Sequence, residues 1–185
     1  MNSGPGRRAG GVTVVSWVAI VLAALAGAAL TVVAWDDLVP SDALSNLGGA
    51  VAAVAYATLG ALIVRRAGSV IGWLMLGEGA GMAFLAFGSA YAVTGIATHP
   101  GTLPAAARVG TVTECSFVPV AFLLVFMFFL FPSGKLPSRR WRPVIPAGLL
   151  MAGLTLIAFF VTSRQVSLPA PGGVSLKIHN PLAVE

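Results

Sequence analysis

Residues 47–66 read LGGAVAAVAYATLGALIVRR. From Leu47 to Val64 no charged side chain interrupts the run, and Arg65-Arg66 closes it. At 1.5 Å per residue this stretch covers about 27 Å as a helix, close to the hydrocarbon thickness of a bilayer, roughly 30 Å. Small residues recur along it at Gly49, Ala53, Ala57 and Ala61. A transmembrane helix with a basic stop is the reading, and it sets the frame for the rest of the chain.

Four more runs follow the same rule. Val12 to Trp35 comes first, after Arg7 and Arg8. It is longer than the 7–15 residues of a signal-peptide core, so a retained helix is expected. Ile71 to Ile96 is broken by His99-Pro100-Gly101, Thr111 to Phe131 contains Pro119, and Ile145 to Thr162 carries Pro146 in its first turn. The expectation is an all-α polytopic bundle with spans 12–35, 47–64, 71–96, 111–131 and 145–162. Residues 1–11 form a cytoplasmic tail in this reading, and 163–185 an extracytoplasmic one.

Composition agrees. Charged residues make up 9% of the chain, hydrophobic ones 57%, and mean hydropathy is +0.92. A soluble domain carries about 25% charged residues, so this chain cannot clothe a water-facing surface. The net charge of +5 sits in short loops, which points to topology and anionic headgroups rather than nucleic acid. With the N-terminus inside, eight basic residues (Arg7, Arg8, Arg65, Arg66, Lys135, Arg139, Arg140, Arg142) face the cytoplasm. Three (Arg108, Arg164, Lys177) face out. The positive-inside rule selects N-in, and five spans then put the C-terminus outside, in a multi-pass plasma-membrane protein.

The chemistry within these runs is sparse. Cys115 is the one cysteine, so no disulfide framework or four-cysteine metal site exists. His99 and His179 lie far apart without a carboxylate at ligand spacing, and neither a metal nor another cofactor is expected. No Gly-x-Ser-x-Gly, His-Glu-x-x-His or Walker motif occurs, and no serine has a basic partner arranged for nucleophilic work. Two acids stand out. Glu78 falls about 10 Å from the inner face and Glu114 near the outer start of the fourth run, so the pair is expected to be separated by most of the bilayer. An ionisable group at membrane depth is a functional candidate by default. For Glu78 the readings are a proton or ligand sensor, or a residue paired with Arg65 or Arg66. For Glu114 the reading beside sensing is an interfacial charge near Arg108. Gly77, Gly81 and Gly88 form a stripe that admits close helix packing or homodimerisation.

Lys135, Arg139, Arg140, Trp141 and Arg142 form a basic, aromatic loop suited to the cytoplasmic headgroup layer. The stretch Leu130-Phe131-Pro132-Ser133-Gly134-Lys135-Leu136-Pro137-Ser138-Arg139-Arg140-Trp141 resembles the N-terminal membrane region of actinobacterial two-component sensor histidine kinases. There the corresponding segment often reads Leu-Phe-Pro-Asp-Gly-Arg-Leu-Pro-Ser-Arg-Arg-Trp. Ile71-Gly72-Trp73 after Arg65-Arg66 and Asn180-Pro181-Leu182 are shorter matches, with Ser69-Val70 in place of Asn-Pro and Ala183 in place of Gly. The resemblance implies a sensory input module whose kinase domain, reached through further helices, follows Glu185 in a longer parent. No catalytic residue transfers, because the family's phosphoacceptor helix and ATP lid have no counterpart here. The competing reading is a free-standing membrane protein acting as a partner subunit or a transporter-like bundle.

Overall fold

The computed structural model describes residues 5–131, 134, 138, 140, 142–162, 165–169 and 175–179, with side chains for 10–131, 134, 138, 140 and 142–158. The body is an all-α bundle of five helices: α1 (Pro5–Val33), α2 (Pro40–Ala67), α3 (Val70–Val93), α4 (Ala106–Leu130) and α5 (Val144–Thr162). Four of them provide stretches long and apolar enough to cross a membrane: Gly10–Val33, Pro40–Ala67, Val70–Thr98 and Ala106–Leu130. In α5 the stretch Val144–Ala158 is apolar but shorter.

The ends follow local chemistry. Pro40 opens α2 where its missing N–H costs nothing, and Asp42 sits in the first turn, at the positive end of the helix dipole. Arg65 and Arg66 occupy the last turn, at the negative end. Gly68 then adopts φ 58° and donates its N–H to Val64 O at 2.9 Å, a left-handed cap that glycine reaches without a Cβ penalty. Ser69 starts α3 by accepting from the Ile71 N–H at 3.2 Å.

Several boundaries lie outside the apolar runs. Helix α1 begins at Pro5, so most of 1–11 is helical rather than a tail. Helix α2 begins at Pro40, not 47, and takes in Asp42 and Asn46. Helix α4 begins at Ala106, not 111, and takes in Arg108. Hydropathy marks where a helix meets lipid; capping and hydrogen bonding decide where it starts. Helix α3 passes into one π turn, Thr94–Thr98, before the chain reverses. In the expected tail, β1 (Gln165–Pro169) pairs antiparallel with β2 (Ser175–His179), with Val166 opposite Ile178 and Leu168 opposite Leu176. Apolar residues alternate along both strands, which matches the two-residue period of a pleated pair.

The bundle has two chemically distinct ends. Ala34, Leu38, Ala43, Val93 and Ala97 pack together near Asp36, Asp37 and Asp42, and this is called the acidic end below. Arg65, Arg66 and Ser69 form the basic end, where a Cβ on Gly134, just after α4, would lie 3.8 Å from Ser69 Oγ.

Small residues fill the interior. Ala24, Ala50, Ala53, Ala57 and Ala83 are buried, while Val51 is 72% and Phe128 70% exposed. Large side chains outside and small ones inside suit lipid as solvent, where close backbone approach replaces a hydrophobic drive. Buried and half-buried hydroxyls donate to carbonyls one turn back, as Thr31 does to Gly27 O, Thr94 to Ala90 O and Thr113 to Val109 O.

Helix α3 is the hub. Its contact with α2 is the most extensive in the bundle, followed by that with α4, and α1 packs on both α2 and α3. Helix α5 lies on α4, with Gly148 against the Phe126 ring.

Candidate functional site

The glycines of α3 fix how its neighbours sit. A Cβ on Gly79 would meet Ala53 O and Ala57 N at 2.9 Å, and one on Gly72 would meet Val64 N at 2.8 Å. One on Gly81 would meet Val120 Cγ2 at 2.5 Å, and one on Gly88 would collide with Thr113 Oγ1. Gly77 is looser, with Leu123 at 3.8 Å. So Gly81 and Gly88 of the expected stripe do pack within the bundle, against α4. Gly60, Gly72 and Gly79, at the α2–α3 contact, were not singled out by the pattern. They sit on two different helices, and a single-helix stripe does not reveal them.

These contacts set a register. Gly81–Val120 and Gly88–Thr113 align α3 with α4, and Gly79–Ala53/Ala57 and Gly49–Ala86 align α3 with α2. Between α2 and α4, over one face of α3, lies a cleft. Toward the acidic end it widens into a cavity of about 310 Å³. Its walls are Ser45, Asn46 and Gly49 from α2, Met82, Leu85, Ala86 and Ser89 from α3, and Thr113, Glu114 and Phe117 from α4.

The cavity is amphiphilic. Met82, Leu85 and Phe117 give it apolar walls, while Ser45, Asn46, Ser89 and Glu114 give it a polar rim. Asn46 Nδ2 is buried and meets no hydrogen-bond partner among the described residues. A buried amide left unpaired costs about 1–3 kcal/mol. Glu114 is half-buried, and the negative charge of Asp42, at the start of α2, acts on it. The expected neighbour of Glu114 was Arg108; its surroundings are instead this cavity and a second acid. Arg108 precedes it by six residues, which places the two on different faces of α4. Asn46 was missed because it stands one residue before the apolar run that begins at Leu47.

Glu78 is 1% exposed, and neither carboxyl oxygen meets a hydrogen-bond partner among the described residues. The expected pairing with Arg65 or Arg66 does not occur. Arg65 lines a groove between α1 and α2 with Val14 and Trp17, and Arg66 is exposed. Trp17 Nε1 donates to Thr58 Oγ1 at 3.0 Å across that same α1–α2 contact.

The two acids are closer in depth than the sequence suggested. The α3–α4 register places Glu114 level with about residue 87, nine residues from Glu78. That is an axial offset of about 13 Å, under half the hydrocarbon core rather than most of it. They still form no carboxylate dyad.

Arg140 and Arg142 of the basic loop are exposed at the basic end. Lys135, Arg139 and Trp141 lie outside the described residues, as does the side chain of His179. Among the described residues no cluster of His, Cys, Asp and Glu is arranged to hold a metal ion. No protein-family model, curated protein or solved structure matches the chain.

Proposed function

We propose that this chain is the membrane-embedded input module of a sensor, inserted in the plasma membrane with its N-terminus and basic loop in the cytoplasm. The observation that carries the reading is the amphiphilic cavity among α2, α3 and α4, with its unpartnered Asn46 amide and half-buried Glu114. In the proposed orientation this cavity lies in the outer leaflet. A sensor of an external or membrane-borne cue needs a receptive site at that depth. The basic loop's resemblance to the membrane region of sensor histidine kinases supports the same assignment.

The walls define the cue by chemistry. Met82, Leu85 and Phe117 take an apolar body, and Glu114, with Asp42 nearby, favours a cationic, hydrogen-bond-donating head. A small alkylammonium amphiphile satisfies both. The protein in nanodiscs is titrated with octylammonium, octanol and octanoate while thermal stability is followed. Octylammonium should stabilise the wild type and have less effect on Glu114→Gln. Equal shifts for all three, or for both proteins, would count against the site.

Orientation is tested in the same chain with Cys115→Ala as background. An impermeant thiol reagent added to intact cells should label Ser89→Cys, in the cavity, and spare Ser138→Cys, in the basic loop. The reverse pattern would overturn both the topology and the outer-leaflet cavity.

A further inference from the structure

From the level of the cavity, two rows of residues run on along the α2–α3 contact. On α3 the row is Ser89, Leu85, Met82 and Glu78; on α2 it is Ser45, Gly49, Ala52 and Tyr56. Each steps by four, three and four residues, the spacing that keeps one helical face. In the observed antiparallel register Ser89 stands level with Ser45, Leu85 with Gly49, Met82 with Ala52 and Glu78 with Tyr56. The first three levels include the walls of the cavity. The fourth ends in a sealed carboxyl group, one turn below Met82, about 6 Å.

A carboxylate held there with neither oxygen bonded would carry an uncompensated charge, which is strongly unfavourable away from water. The packed arrangement is therefore one that holds a proton on the group. Among the described residues the surroundings offer no counter-charge. On α2 the facing ionisable group is Tyr56, and Arg65 and Arg66 lie about 13 Å further along the helix, Arg65 on the α1 side. At this level α4 presents Val120 to Leu124, with no ionisable residue, and Glu114 and Cys115 lie above. Helices α1 from Gly10 to Val33, and α5, contain no charged side chain.

We propose that Glu78 is a proton-binding site whose ionisation opens the α2–α4 cleft from the cavity down to the carboxyl group. Loss of the proton leaves an anion that must reach water, and the nearest water-accessible space is the cavity above Met82. Widening the cleft along the Ala52–Met82 level extends that space by one turn. On the α4 side the obstructing contacts at Gly81 and Gly88 are with side chains rather than backbone. This couples proton occupancy to the separation of α2 and α4, whichever cue the cavity takes.

The test uses the full chain in nanodiscs. Dicyclohexylcarbodiimide, which partitions into lipid and reacts with protonated carboxyl groups, should modify Glu78, as located by peptide mapping. The rate should fall about tenfold per pH unit once the group ionises, and Glu78→Gln should remove that adduct. In parallel, with Cys115→Ala throughout, an impermeant thiol reagent reports Ala52→Cys relative to Ser89→Cys, a ratio that cancels the pH dependence of the thiol itself. The ratio should rise several-fold with pH when Glu78 is present and stay flat in Glu78→Gln. Failure of the carbodiimide to reach Glu78 at any pH would overturn the proton site. A ratio with the same pH course in both proteins would overturn the opening. Neither result depends on octylammonium binding, so this inference and the sensory reading fail separately.

Discussion

The two sides of α3 use glycine in the same way and meet different partners. Toward α2, Gly72 and Gly79 lie against backbone atoms. Toward α4, Gly81 and Gly88 lie against the side chains of Val120 and Thr113. A backbone contact has nowhere to move except by separating the helices, whereas a side-chain contact is relieved by trimming or shifting that side chain. With Trp17 tied to Thr58, α1, α2 and α3 form a fixed block. Helix α4 is the adjustable wall, and it carries Glu114.

The sharpest way to break this contrast is Gly79→Ala. The added methyl meets Ala53 O and Ala57 N, and overpacking of this kind costs about 1–3 kcal/mol. A loss near the upper end is expected in reversible unfolding in mixed micelles, with no rescue from Ala57→Gly because the backbone remains.

Gly88→Ala should cost about 1–2 kcal/mol, and adding Thr113→Ala should recover most of it. A double-mutant cycle that shows no coupling between the two would erase the distinction between the faces.

Trp17→Phe tests the fixed block. Losing one interhelical hydrogen bond in lipid costs about 0.6–1 kcal/mol, read as a lower unfolding midpoint. Gly77→Ala is the smallest change: with Leu123 at 3.8 Å its effect should stay within about 0.5 kcal/mol. A large loss there would mean that α4 packs as tightly as α2.

Much of the fold was legible because lipid leaves few choices. Uncharged runs marked the five helices, but the Pro40 start and Gly68 cap of α2 lie outside its apolar run, and hydropathy did not show them. Glu78 was legible as an acid at membrane depth. Its lack of a partner was not, because that depends on which way Arg65 turns, a property of the α1–α2 contact. The cavity was hidden for a related reason. Ser45, Asn46, Ser89 and Glu114 come from three helices, and only the register set by Gly79, Gly81 and Gly88 brings them to one level. The hairpin after α5 was read as a mixed tail because its strands are short and interleaved with proline and glycine.

Pro119 gives α4 a further property. It lies inside the helix, beside Val120 and about one and a half turns from Thr113. With no N–H to donate to the carbonyl four residues back, it is a natural bending point. Helix α4 is thus a lever with unequal loads. One arm holds Glu114 in the cavity; the other runs about 16 Å to Leu130 and leads to Gly134 beside Ser69. A change of bend of about ten degrees would displace the far end by about 3 Å. A local event at the cavity would then arrive at Gly134 as a sideways step, large enough to alter its approach to Ser69 at the start of α3.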